Sequence, residues 1–102
     1  MSKAGRKPIH QRDHLMGAAL IVAARCGYQN MSREEIALEA KCSTGLISKY
    51  FGTMPQLRRA VMRAAVVRGN HTVLAQGLAA GDPNAQEAGH KAKRDALEAL
   101  LS

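Results

Sequence analysis

The sequence predicts an all-α chain: a three-helix helix-turn-helix head, a linking helix and a short C-terminal dimerisation helix. Three observations carry that expectation. Alanine is abundant and β-branched residues are few, which favours helix because alanine loses no side-chain entropy there. Apolar residues recur at helical spacing, and prolines are confined to Pro8, Pro55 and Pro83. Capping residues (Ser32, Ser43, Thr53, Asp82) stand in front of successive apolar runs. The same composition excludes a sandwich or barrel of alternating strands. A chain of 102 residues has room for one modest core, filled mainly by aliphatic residues and methionine, since only Tyr28, Tyr50 and Phe51 are aromatic.

Residues 1–10 read as a flexible basic arm, because the stretch is polar and broken by Gly5 and Pro8. From Gln11 to Cys26, Leu15, Ala18, Ala19, Val22 and Cys26 form an apolar stripe, and Gly27 supplies a left-handed stop. Tyr28 and Met31, in the connection that follows, are expected to turn inward. Ser32-Arg33-Glu34-Glu35 has the pattern of a capping box, in which Glu35 would reach back to the Ser32 amide. The short helix behind it carries Ile36, Ala37 and Ala40 on one side. Ser43 opens another short helix with Leu46, Ile47 and Tyr50 apolar, closed by Phe51-Gly52. Thr53 and Pro55 start the next helix, with Leu57, Val61, Ala64 and Ala65 inward and Arg58, Arg59, Arg63 and Arg68 largely outward. Gly69, Gly77 and Gly81 weaken the helical pattern beyond Arg68, although Val73, Leu74 and Leu78 keep its rhythm. Asp82-Pro83 restarts a helix whose apolar side holds Ala85, Ala88, Ala92, Ala96 and Ala99 with Leu97, Leu100 and Leu101. The chain divides on this reading into an arm (1–10), a helix-turn-helix domain (11–68) and a short helical dimerisation region (69–102).

The net charge is +7, and it is concentrated. Residues 1–14 carry +3 and residues 55–70 carry +4, whereas residues 33–54 are neutral and residues 71–102 carry −1. Such an excess points to a polyanion partner. Cys26 and Cys42 form no C-x-x-C pair and have no metal-ligand spacing with His10, His14, His71 or His90, so no metal and no cofactor are expected. Small buried thiols in a reducing cytoplasm fit them better. Lys3, Arg6 and Lys7 ahead of the apolar run from Leu15 imitate a secretory signal. Asp13 and His14 interrupt the transition, however, and Arg25 stands where a small residue would be needed for cleavage. No stretch has the length of a membrane span. A cytoplasmic protein with no membrane partner is expected.

Two short helices joined by a three-residue turn make a helix-turn-helix. The motif needs a small residue where its helices cross, and Ala37 is one. Its nucleus would be Ile36, Ala40, Cys42, Ile47 and Tyr50. The second helix must present small or polar residues to enter a major groove, and Thr44, Gly45, Ser48 and Lys49 meet that demand. The alternative is an ordinary helical hairpin.

Leu15, Ala18, Ala19, Gly27-Tyr28, Ser32, Ile36-Ala37, Ala40, Ser43, Gly45, Ile47, Tyr50-Phe51 and Leu57 together resemble the DNA-binding domain of tetracycline-repressor-type (TetR-type) regulators. The resemblance runs from about Arg12 to Val61. It implies a head of three helices, the third reading the major groove and a fourth leading to a dimerising body. Carried over, it places Thr44, Gly45, Ser48 and Lys49 at base edges and Ser32, Ser43 and Tyr50 at phosphates. For the two serines a helix N-terminus facing phosphate agrees, and plain capping is the alternative. Lys41 stands where the family usually has the turn glycine, Ser48 replaces a usual tyrosine, and Met54 takes a place often held by lysine. About 35 residues follow Val67, too few for the family's usual inducer cavity.

The expectation is therefore a sequence-specific regulator of double-stranded DNA, of bacterial, plasmid or phage type. It would act as a repressor on a palindromic operator, as a homodimer through the C-terminal helices. No small-molecule ligand and no catalytic residue are expected. Lys3, Arg6 and Lys7 would enter an adjacent minor groove or serve as a solubilising terminus. Arg58, Arg59, Arg63 and Arg68 are divided between steering DNA and a plain solvated face. The alternatives are a low-specificity architectural DNA-binding protein and a protein-interaction module such as an antirepressor.

Overall fold

The computed structural model describes residues 8–101. Six helices run through them: α1 (Pro8–Cys26), α2 (Arg33–Ala40), α3 (Thr44–Phe51), α4 (Met54–Arg68), α5 (His71–Ala80) and α6 (Pro83–Leu101). Lys3, Arg6 and Lys7 lie outside the described residues. α1 opens on Pro8, ahead of the expected start at Gln11. A proline suits a helix's first turn, where its missing N–H has no partner to lose.

α1 is the central element. Leu15, Met16, Ala18, Ala19, Leu20, Val22 and Ala23 are all buried, a broader band than the single stripe the spacing predicted. The reason is that α2, α4 and α5 all pack against it. Tyr28 and Met31 turn inward as expected. On α4 the buried set is Leu57, Val61, Met62 and Ala65, while Ala64 is only half-buried. Met62 joins the core because α5 and α6 also pack against α4, with Met62 meeting α5 at Gly77.

Three helix ends share one geometry. α2, α4 and α5 each close on a left-handed residue, after which a backbone N–H reaches back five residues: Cys42 to Ala37, Asn70 to Ala65 and Asp82 to Gly77, at 3.0, 2.8 and 2.9 Å. Glycine occupies that position at Gly69 and Gly81, but α2 uses Lys41 at φ 60°. Lys41 is the only non-glycine with positive φ among the described residues, so the turn between α2 and α3 carries local strain.

The capping box sits elsewhere than the sequence suggested. Ser32 Oγ accepts from the Glu35 amide, but the Glu35 carboxylate receives the Ser32 hydroxyl (3.2 Å) and the Cys26 thiol (3.4 Å), not the Ser32 amide. The reciprocal pair forms at the start of α4, where the Thr53 N–H donates to Gln56 Oε1 and the Gln56 N–H to Thr53 Oγ1. Cys26 and Cys42 are half-buried rather than buried, lying at the edge of the core.

The glycines beyond Arg68 do not break the helical path. α5 forms behind an Asn70 cap, and its Gly77 is buried where α5 crosses α4 and α6. A Cβ there would come within 2.6 Å of Met62 Cε and 2.7 Å of Ala85 Cβ, so the glycine is a packing requirement. Val73 and Ala85 belong to the same buried cluster as Leu15 and Ile36. Gln76 ties the parts together, accepting from the Tyr28 N–H (2.9 Å) and donating to the Ala23 carbonyl (3.1 Å). Tyr28 Oη donates to Asp82, the cap of α6. The buried cluster therefore continues across the helix boundary at Gly69.

Candidate nucleic-acid interface

α3 spans eight residues, and its composition sorts them by face. Ile47 and Phe51 are buried, and Leu46 and Tyr50 are half-buried. Thr44, Gly45, Ser48 and Lys49 are all exposed and share the opposite stripe, as their spacing of four along a helix requires. Phe51, which the sequence reading left as a helix terminator, is the ring that anchors α3 in the core. Tyr50 is its half-buried neighbour. Ala37 is buried on α2 and Ile36, Ala40 and Ile47 surround the crossing, with Cys42 at its rim.

Gly45 needs an explanation beyond folding. Its φ is not positive, and a Cβ placed on it would meet only Ser43 Oγ at 3.8 Å. Glycine costs about 1 kcal/mol relative to alanine in a helix interior and less in the first turn, where Gly45 lies, and nothing in the fold demands it. Gly52 differs. It closes α3 at φ 77° and ψ −136°, a region open essentially to glycine alone.

Three hydroxyls flank the exposed stripe, and they are not equivalent. Ser43 is exposed and caps α3, its oxygen accepting from the Leu46 N–H at 3.2 Å. Its proton stays free to donate. Ser32 has its proton on Glu35, and the Tyr50 phenol donates to Gln11 Oε1 at 3.1 Å. Each of these must exchange an internal partner before it can donate to a phosphate.

Arg33 was not singled out from the sequence. Its Nη2 donates to the Gly52 carbonyl at 3.2 Å, bracing the start of α2 against the end of α3. Arg58 also departs from expectation. It is half-buried, with a buried Nε lacking a partner among the described residues, so it does not face outward. Arg12 stands with its guanidinium 5.2 Å from the centre of the Phe51 ring. Together with Arg59 and Arg63 it borders an open groove between α1 and α4. Arg68 is engaged by Asp13 at 3.7 Å. The high charge of residues 55–70 pointed to α4, but only the packing shows that its arginines diverge to two sides.

A core-locked pair of short helices, the second with a polar outward stripe, defines a helix-turn-helix DNA-binding domain. Residues 15–61 match the family described as bacterial regulatory proteins, tetR family. That segment takes in most of α1, all of α2 and α3 and the first half of α4, and it is a TetR-type N-terminal domain. The chain accordingly carries the DNA-binding domain of a transcriptional regulator. No curated protein and no solved structure matches the chain. Among the described residues no helix is long and apolar enough to cross a membrane.

Proposed function

We propose that this regulator is a repressor that reads a palindromic operator through α3, as a homodimer and without a small-molecule inducer. The observation that carries the reading is Gly45. It is an exposed helical glycine that the fold does not need, between Thr44 and the pair Ser48 and Lys49. A bare backbone at that point lets the helix approach base edges closely. Thr44, Ser48 and Lys49 then supply the donors and the methyl group that read them. Ser43 makes the first phosphate contact, and Ser32 and Tyr50 join it by giving up Glu35 and Gln11. Lys3, Arg6 and Lys7 extend the reading into the adjacent minor groove.

Assembly follows from the far end of α6. Leu97 is 56% exposed and Leu100 is 81% exposed, on a helix whose first turns are packed against α4 and α5. Pairing these segments from two chains covers the leucines and sets two α3 helices one DNA turn apart, about 34 Å. The reading without an inducer site is supported at the crossing of α4, α5 and α6, where side chains pack closely around Gly77. Met62, Val73 and Ala85 are each fully buried there.

The test is selection of bound sequences from a random duplex pool, followed by binding of Lys49→Ala. The variant is expected to lose about 1–3 kcal/mol on the selected duplex and to relax preference at one position. Full retention of discrimination would remove Lys49 from the base-reading set. Equal binding to every duplex by the unmodified chain would favour an architectural role instead.

A further inference from the structure

The densest unpaired positive charge of the head lies beside the α3 stripe, in the groove between α1 and α4. Arg59 and Arg63 stand one helical turn apart on α4, Arg12 faces them from α1, and Phe51 and Ala60 line the groove between them. None of the residues lining it is acidic. The two ion pairs among the described residues are Arg25–Glu39 and Arg68–Asp13, and neither involves these three arginines. Three guanidiniums converging without a carboxylate repel one another, and an entering anion relieves that repulsion. The groove is also mechanically joined to the reading helix. Arg12 packs over Phe51 at 5.2 Å, and Gln11, its neighbour on α1, holds the Tyr50 hydroxyl at 3.1 Å.

We propose that this groove seats backbone phosphates of the duplex flanking the base pairs that α3 reads, with Arg59 and Arg63 as the main contacts and Arg12 closing the α1 side. The inference rests on the DNA-reading function proposed above and assigns it a second contact surface. Its consequence is positional. Phosphates held here set the depth and tilt of α3 because Phe51 and Tyr50 belong both to the groove and to that helix. Contacts of this kind carry no sequence information of their own.

The experiment is Arg59→Gln with Arg63→Gln in the full chain, two exposed positions where glutamine keeps helix propensity. Binding is measured over a series of salt concentrations, on a duplex selected from the random pool and on a random-sequence duplex. Each lost phosphate contact lowers the log–log salt slope by about 0.9, so the double variant should lose about two units per bound protomer, or about four for the proposed dimer. Affinity should fall by a similar factor on both duplexes, leaving the preference between them unchanged. Arg25→Gln is the control, since its guanidinium is already paired with Glu39 at 3.3 Å, and it should leave the slope alone. An unchanged slope in the double variant, or a loss confined to the selected duplex, would overturn the proposal. The two readings fail separately. A chain that prefers its selected duplex while the double variant keeps its slope refutes the groove and leaves base reading intact. A chain without preference whose double variant still loses about two units per bound protomer refutes base reading and leaves the groove.

Discussion

The head and the distal half of α6 expose opposite kinds of surface. Around α1 the head buries most of its large apolar side chains, leaving Ile21, Leu38 and Val67 exposed, and turns outward a stripe of Thr44, Gly45, Ser48 and Lys49 flanked by arginines. Beyond Lys91, α6 leaves Leu97 and Leu100 to solvent while its first turns are tied down through Ala85 and Asp82. A small chain leaves leucines exposed at a cost of about 1.5–3 kcal/mol each relative to burial. The contrast teaches a division of labour. The polar, close-approach surface suits a hydrated polyanion, and the apolar surface suits a second copy of the chain.

The largest effect expected is at the apolar end. Leu97→Asp with Leu100→Asp should leave a folded monomer, because neither side chain is part of the buried cluster. Losing the second half-site should weaken operator binding by about a hundredfold or more while sparing nonspecific binding. Sedimentation with and without operator checks both parts. A dimer surviving these substitutions would place the interface elsewhere, for example at the exposed Val67 on α4.

Gly77→Ala comes next and acts on the joint between the two regions. The new methyl can displace the flexible end of Met62 but not Ala85 Cβ, so α5 and α6 must separate. A loss of about 1–3 kcal/mol of stability is expected from denaturant unfolding.

These two cases show what the sequence could and could not disclose. The first four helices, the three-residue turn and the exposed stripe of α3 were legible because cap residues and apolar spacing are local signals, whereas α5 brings the helices to six where five were expected. Gly77 was read as a helix weakener because its reason lies in Met62 and Ala85, which only the fold brings near. Arg58 and Arg59 are adjacent in sequence, yet one is half-buried with its Nε out of solvent and the other is exposed and borders the groove against Arg12. Glu35 was expected on the Ser32 amide. Instead it takes the Ser32 hydroxyl and the Cys26 thiol, a competition that no four-residue pattern contains.

Gly45→Ala separates folding from reading within one residue. It should raise stability by less than about 1 kcal/mol, since the Cβ meets no clash, and should weaken binding to the selected duplex. A gain in both would take away the reason given for the glycine.

The smallest effect concerns Tyr28. Burial, reinforced by the nearby Asp82 charge and the hydrogen bond to it, pushes the Tyr28 phenol above its ordinary pKa. The fold therefore favours the neutral phenol. Its contribution is fully present below pH about 10 and is lost as the pH rises through the raised value. Tyr28→Phe should cost less than about 1.5 kcal/mol at neutral pH and should flatten the alkaline fall in stability, which thermal unfolding across that pH range reads directly.

The central claim is that the exposed stripe of α3 reads sequence. Competition between a duplex selected from a random pool and a random-sequence duplex, at one fixed salt concentration, tests it most directly. The unmodified chain should favour the selected duplex by about a thousandfold or more. A ratio near one would contradict the account, whatever the absolute affinity.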